Sequence, residues 1–178
     1  MKLTWFAATT LRIHVGGKIV VADARLAPPW VDRRELISAA DRSFTLAAVD
    51  PALAAADPTI WRRRRSPRPL EHDAPVLDIL RFGDGAVLVD APGEPLLVLL
   101  ATPTLPPLGR WTNDAVIVLF GAGEAIIALG TVLLDTSEPR LLALAADEPA
   151  IDTAIAELRE HLDGTALVSL EPGLALEV

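Results

Sequence analysis

The chain has no cysteine and no tyrosine, three histidines, two lysines and one methionine among 178 residues. Each shortage excludes something. Without cysteine there are no disulfides, no thiolate ligands and no thiol nucleophile. That usage fits a cytoplasmic protein, where disulfides are rare. Without tyrosine one common acid–base group is missing. The histidines, His14, His72 and His161, stand far apart, and none lies two or four residues from another. A transition-metal site needs three or four such donors brought together, so none is expected from them. No Gly-x-Ser-x-Gly elbow and no P-loop occur, and "GAG" at 121–123 lacks the third glycine of a dinucleotide loop. A formal net charge of −8 disfavours general binding to nucleic acid or anionic membranes.

What is present is apolar and strand-rich. The length suits one domain, residues 1–178, large enough for a real core. In "LRIHV" the alternation puts Leu11, Ile13 and Val15 on one face and Arg12 and His14 on the other. Gly16-Gly17 then supplies a hairpin turn into "KIVVAD". "VDRRELISAAD" reads as a short helix or turn, "SFTLAAVD" as a possible strand, and "PALAAADPTIW" as a brief helix between prolines. "VLDILRFGDGAVLVD" is a second hairpin about Gly83-Asp84-Gly85, and "EPLLVLLA" and "PRLLALA" are buried strands.

Residues 115–134, "AVIVLFGAGEAIIALGTVLL", are twenty in number with one charge, Glu124. The length would cross a bilayer. Asp114 and Asp135 flank it instead of basic anchors, and Gly121 and Gly123 cut it. A strand followed by a helix from about Glu124 to Leu134 is the expected reading, with no membrane span. "DEPAIDTAIAELREHLDG" is the clearest helix, with Asp147 as cap and Ile151, Ile155, Leu158 and Leu162 as its apolar stripe. His161 would favour its C-terminal dipole. "TALVSLEPGLALEV" reads as two strands about Glu171-Pro172-Gly173. The pattern implies an α/β sandwich.

"KLTWFAATTLRIHVGGKIVVADA" resembles the first strands of the metallo-β-lactamase fold, in the branch similar to ascorbate-phosphate lactonase and related metal-dependent hydrolases. "FGDGAVLVDAPGEPLLVLLAT" resembles its central hairpin and the strand after it. "LLALAADEPAIDTAIAELREHLDGTALVSLEPGLALEV" resembles its closing strand–helix–strand. The resemblance covers about two-thirds of the chain; residues 25–75 match poorly. It implies a shortened αββα sandwich with mixed sheets. It also implies a metal centre whose ion makes hydroxide from bound water. The ligand places do not carry over. Ala7 and Ala8 stand where the family sets a histidine, and "FTLAAVDPALAA" has no histidine where its central signature belongs. Ala101 and Ala145 stand at two further ligand places. Only Asp23 keeps its family type. The expectation is therefore a protein with no metal, no cofactor and no catalytic residues, acting by binding or assembly with a small molecule or protein partner. The alternative is a hydrolase of phosphorylated or lactone substrates with a rewired site.

Two other features invite function. Arg62, Arg63, Arg64, Arg65 and Arg68 cluster after Trp61 in the Arg/Pro-rich loop 62–75. Clustered guanidiniums bind phosphate, and Trp61 beside them would stack an RNA base. A solvated loop, or pairing with the chain's own acids, is the plainer account. Leu105, Leu108, Trp111, Ile126, Ile127 and Leu133 are the second feature: apolar residues in excess of one core would favour a homodimer.

Overall fold

The computed structural model describes residues 1–63 and 77–178. The protein is α/β with two mixed sheets. Strands β1 (Lys2–Ala7), β2 (Thr10–Val15) and β3 (Lys18–Ala22) form an antiparallel meander. Gly16 and Gly17 both take positive φ at the β2–β3 turn, as a two-residue hairpin between right-twisted strands requires. Leu11, Ile13 and Val15 are buried, and Arg12 and His14 point to the other side.

A 3-10 turn (Ala24–Leu26) and the one-turn helix α1 (Arg33–Ile37) follow, and α1 leads into β4 (Arg42–Phe44), parallel to β3. Asp32 caps α1 by accepting from the Arg34 amide at 2.8 Å.

The second sheet begins with β5 (Ala54–Ala55), β6 (Asp78–Gly83) and β7 (Ala86–Asp90). It continues through β8 (Leu97–Leu100), β9 (Val116–Phe120), helix α2 (Gly123–Thr136) and β10 (Leu141–Ala145). Helix α3 (Glu148–Leu158) and β11 (Ala166–Ser169) complete it. The final strand, β12 (Ala175–Glu177), returns to β1. The strand orders are β12-β1-β2-β3-β4 and β11-β10-β9-β8-β7-β6-β5. Strands β8 to β11 run parallel, while β6, β7 and β8 are antiparallel neighbours.

The apolar runs follow from this layering. Alternate residues of β8, β9 and β10 serve two different cores. Leu97, Val118 and Ala143 meet Leu3, Ile13 and Val20 between the sheets. Val98, Ile117 and Leu142 face Ile126, Leu129 and Leu133 of α2 and Ala154 and Leu158 of α3. A strand covered on both faces has no polar side to show in its sequence. Burial of Ile126, Leu129 and Leu133 contributes roughly 5–9 kcal/mol. That outweighs the cost of Gly130 within α2, about 1 kcal/mol. A Cβ on Gly130 would lie 2.9 Å from Leu158 Cδ1, so this glycine lets α2 and α3 approach. On the outer face of the five-stranded sheet the cover is thin: Ala27 and Leu36 on Val21.

The six apolar residues in apparent excess are taken up within the chain. Ile126 and Leu133 are buried, and Leu105, Leu108, Trp111 and Ile127 pack half-buried on the outer core. No helix among the described residues is long and apolar enough to cross a membrane. At 14 residues, α2 spans about 21 Å, short of a hydrocarbon core of about 30 Å.

Several local expectations are corrected. Residues 51–61 form turns and the two-residue strand β5, not a helix. Asp57 bends the chain by accepting from the Thr59 hydroxyl at 2.6 Å and the Thr59 amide at 2.9 Å. Those two bonds, the hydroxyl first, hold the Asp57 carboxyl below its usual range. The strand expected over 43–50 stops at Phe44, because carboxylates take the next amides. Asp50 accepts from the Thr45 amide, and Asp23 accepts from those of Leu46 and Ala47. Asp147 occupies the N-cap of α3 but makes no side-chain cap bond. His161 pairs with Asp135 of α2 through Nδ1 at 2.9 Å, rather than with the end of its own helix. The two strands about "EPG" belong to different sheets, with Gly173 at φ 79° between them.

Candidate functional site

The parallel strands β8, β9, β10 and β11 all end on one edge of their sheet. In open α/β sheets ligands collect outside such carboxyl ends. A cavity of about 860 Å³ lies there, within the ordinary size of small-molecule sites. Ala101 enters it just after β8, Gly121 and Ala122 after β9, and Ala145 and Ala146 at the end of β10. Pro172 enters from the turn after β11, and Asp147 and Glu148 from the start of α3. The opposite wall is the end of β1, Trp5 to Ala7, with Ala8, Thr9 and Trp30.

The structure thus brings Ala7, Ala8, Ala101 and Ala145 into one cleft, although they stand at or just beyond the ends of three strands in two sheets. The lip at Ala8 is formed by a bulge. The β1–β2 register shifts between Trp5 and Ala7, and Ala8 takes φ 45°. Trp5 Nε1 donates to the Ala8 carbonyl at 2.9 Å and fixes this turn.

Asp23 does not join them. It is buried at the end of β3 with φ 46°. Its Oδ2 accepts from Thr9 Oγ1 at 2.6 Å, Leu46 N at 3.1 Å and Ala47 N at 2.8 Å. Its carbonyl accepts from Thr10 Oγ1 and its amide donates to Phe44. The carboxylate ties the first bulge to the loop after β4, which is a structural use of the group.

The arginine cluster is partly described. Arg64, Arg65 and Arg68 lie outside the described residues, as does His72. Arg63 donates through Nε to buried Asp90 Oδ1 at 2.9 Å, and its guanidinium also reaches the carbonyls of Ala91 and Glu94. Arg62 donates to the Trp61 carbonyl at 2.8 Å. The Trp61 ring meets Trp111 edge-on, with centroids 5.4 Å apart. Arg63 thus pairs with the chain's own Asp90 while staying partly exposed, and Trp61 packs on Trp111. The other described histidine, His14, sits on the outward side of β2, its pKa lowered by burial and then by Arg12 and Lys2.

The residues of the cleft do not fit a metal centre of the kind the resemblance implies. Alanines stand at the three ligand places the resemblance implies here, and among the described residues the lining carries only two carboxylates and no histidine. Among the described residues no group of three or more His, Cys, Asp or Glu is placed to hold an ion.

Trp30, Phe6, Phe120, Asp147 and Glu148 enter the cleft without having been singled out as site residues by the sequence. The available signal was position: Phe120, Asp147 and Glu148 lie at or just beyond the ends of parallel strands. Trp30 gave no signal, since its loop reaches the cleft only through tertiary folding. No family model, no curated protein and no solved structure matches the chain.

Proposed function

We propose that the chain is a metal-free relative of the metallo-β-lactamase fold, a shortened αββα sandwich that acts by binding a small molecule rather than by catalysis. The observation that carries this reading is the cleft at the strand ends. Four alanines stand at the places where the resemblance sets metal ligands, and they face one cavity large enough for a ligand. The two outer layers also support the sandwich, α2 and α3 on one sheet and the thin α1 layer on the other.

Catalysis of the family's type needs a Lewis acid or a nucleophile activated by a positioned base. The cleft lining offers the Thr9 hydroxyl, but that group donates to Asp23, and Asp23 is held by two backbone amides as well. Apart from the carboxylates of Asp147 and Glu148, the rest of the lining is mainly methyl and aromatic surface, which suits binding by exclusion of water.

Elemental analysis of the purified protein tests the reading, together with lactone, phosphomonoester and phosphodiester hydrolysis measured with and without added zinc, manganese and iron. Less than one metal ion per ten chains and no turnover above blank are expected. Stoichiometric metal, or turnover abolished by a chelator, would overturn it in favour of the hydrolase.

A further inference from the structure

The chemistry of the cleft lining selects among ligands, and this step rests on the binding reading above. We infer that the cleft binds an organic cation, of the quaternary or substituted ammonium class, against its aromatic wall.

Two features of the cleft point to a cation, and a third, which opposes them, is smaller. The chain has four tryptophans and four phenylalanines, and half of them, Trp5, Phe6, Trp30 and Phe120, line this one cavity. Phe6 and Trp30 stand 6.2 Å apart at 47°, so their planes form an open corner. Ring faces attract a cation placed within about 6 Å of the centroid, tryptophan most strongly. Trp30 is 61% exposed, unusual for so large a ring, and follows Pro28 and Pro29, whose fixed φ limits its loop.

The second feature is charge. Asp147 and Glu148 line the cleft, and among the described residues no lysine, arginine or histidine does. Neither carboxylate has an ion-pair or side-chain hydrogen-bond partner among the described residues. They are available to a ligand, unlike Asp23 and Asp90.

The third feature is a competing effect that magnitude decides. The N-termini of α2 and α3 both open toward this edge, and a helix N-terminus favours anions. Each contributes about half a positive charge. The two carboxylates bring two full negative charges, so the cleft keeps about one net negative charge. An anion is disfavoured there and a cation favoured.

A matched series of three soluble probes tests this on the full chain by NMR, following the indole signals during titration. Choline carries a positive charge, 3,3-dimethylbutan-1-ol has the same branched shape without charge, and 3,3-dimethylbutanoate carries a negative one. Choline should bind about fivefold or more tighter than the alcohol, and the carboxylate weakest. Trp30→Ala, a change at an exposed ring, should weaken choline about fivefold and the alcohol less. Asp147→Asn with Glu148→Gln should reduce the preference for choline and leave the alcohol unchanged. Equal binding of choline and alcohol would overturn the cation assignment while leaving an apolar binding cleft. A carboxylate that binds best would overturn it in favour of the helix N-termini. If no probe shifts any indole signal at tens of millimolar, both the cation assignment and the binding reading fail.

Discussion

Two carboxylate-bearing regions lie at strand ends of this molecule, and they are built in opposite ways. Asp23 is buried and collects three donors on one oxygen. Asp147 and Glu148 are exposed at the cleft and have no such partners among the described residues. The first pattern is what folding demands, since a buried charge without donors costs several kcal/mol. The second is what a site needs, since a group already satisfied has nothing to offer a ligand. The contrast separates two meanings of an aspartate that sequence alone leaves equal.

The largest expected effect breaks the first half of that contrast. Asp23→Ala leaves the Leu46 and Ala47 amides and the Thr9 hydroxyl without their acceptor in a buried place. A loss of about 3–5 kcal/mol is expected, read from urea unfolding midpoints. Asp23→Asn keeps one acceptor oxygen and should fall between. At the cleft, Glu148→Gln should change stability by less than about 0.5 kcal/mol. If the two positions cost the same, the division into a structural and an available carboxylate is wrong.

Arg63 extends the comparison to a cation. It pairs with buried Asp90 while keeping part of its side chain in solvent. Asp90 is 7% exposed in this pair and Arg63 40%, so solvent screens part of the attraction. Arg63→Ala should cost about 1–2 kcal/mol, because Asp90 then stays buried with a donor removed. Arg63→Lys should recover only part, since a lysine cannot reproduce the fork that also reaches the Ala91 and Glu94 carbonyls. The same denaturation series checks both. A full-strength Arg63→Ala variant would return this arginine to the pool able to bind anions.

These regions were legible in the sequence to different depths. The hairpins at Gly16-Gly17 and Gly83-Asp84-Gly85, the split of 115–134 into strand and helix, and the helix after Asp147 follow from local rules. Turn glycines, capping positions and short-range periodicity are local, and they are enough. The failures come from side-chain bonds that periodicity does not see, some local, as Asp57 to Thr59, and some distant, as Asp23 to Leu46 and Ala47. Nothing in "SFTLAAVD" says that Asp23, twenty or so residues earlier, takes the amides of Leu46 and Ala47. The last two strands read correctly as strands, but a period of two cannot say that they join different sheets. In the site, the alanines at 7, 8, 101 and 145 were picked by resemblance, and the fold places them together. Trp30 was invisible because nothing local marks a loop residue that arrives by tertiary folding.

A smaller effect than those of Asp23 and Arg63 tests the place where both regions meet. Ala8 ends the bulge whose next residue, Thr9, donates to Asp23, and it also forms a lip of the cleft. Its φ of 45° puts a Cβ in the left-handed region, at a cost of about 1–2 kcal/mol for an L-residue. Glycine removes that cost but gives the unfolded chain more freedom. Ala8→Gly should therefore gain about 0.5–1 kcal/mol, the difference of the two terms. Ala8→Val should lose stability, since β-branched residues tolerate this backbone least. Affinity for the three probes should stay within about twofold in the glycine variant, because its wall loses one exposed methyl while the rings and carboxylates remain. A glycine variant that is no more stable would mean that the strain is relieved elsewhere in the bulge. One that is stable but loses the probes would place Ala8 itself among the contacts that hold the ligand.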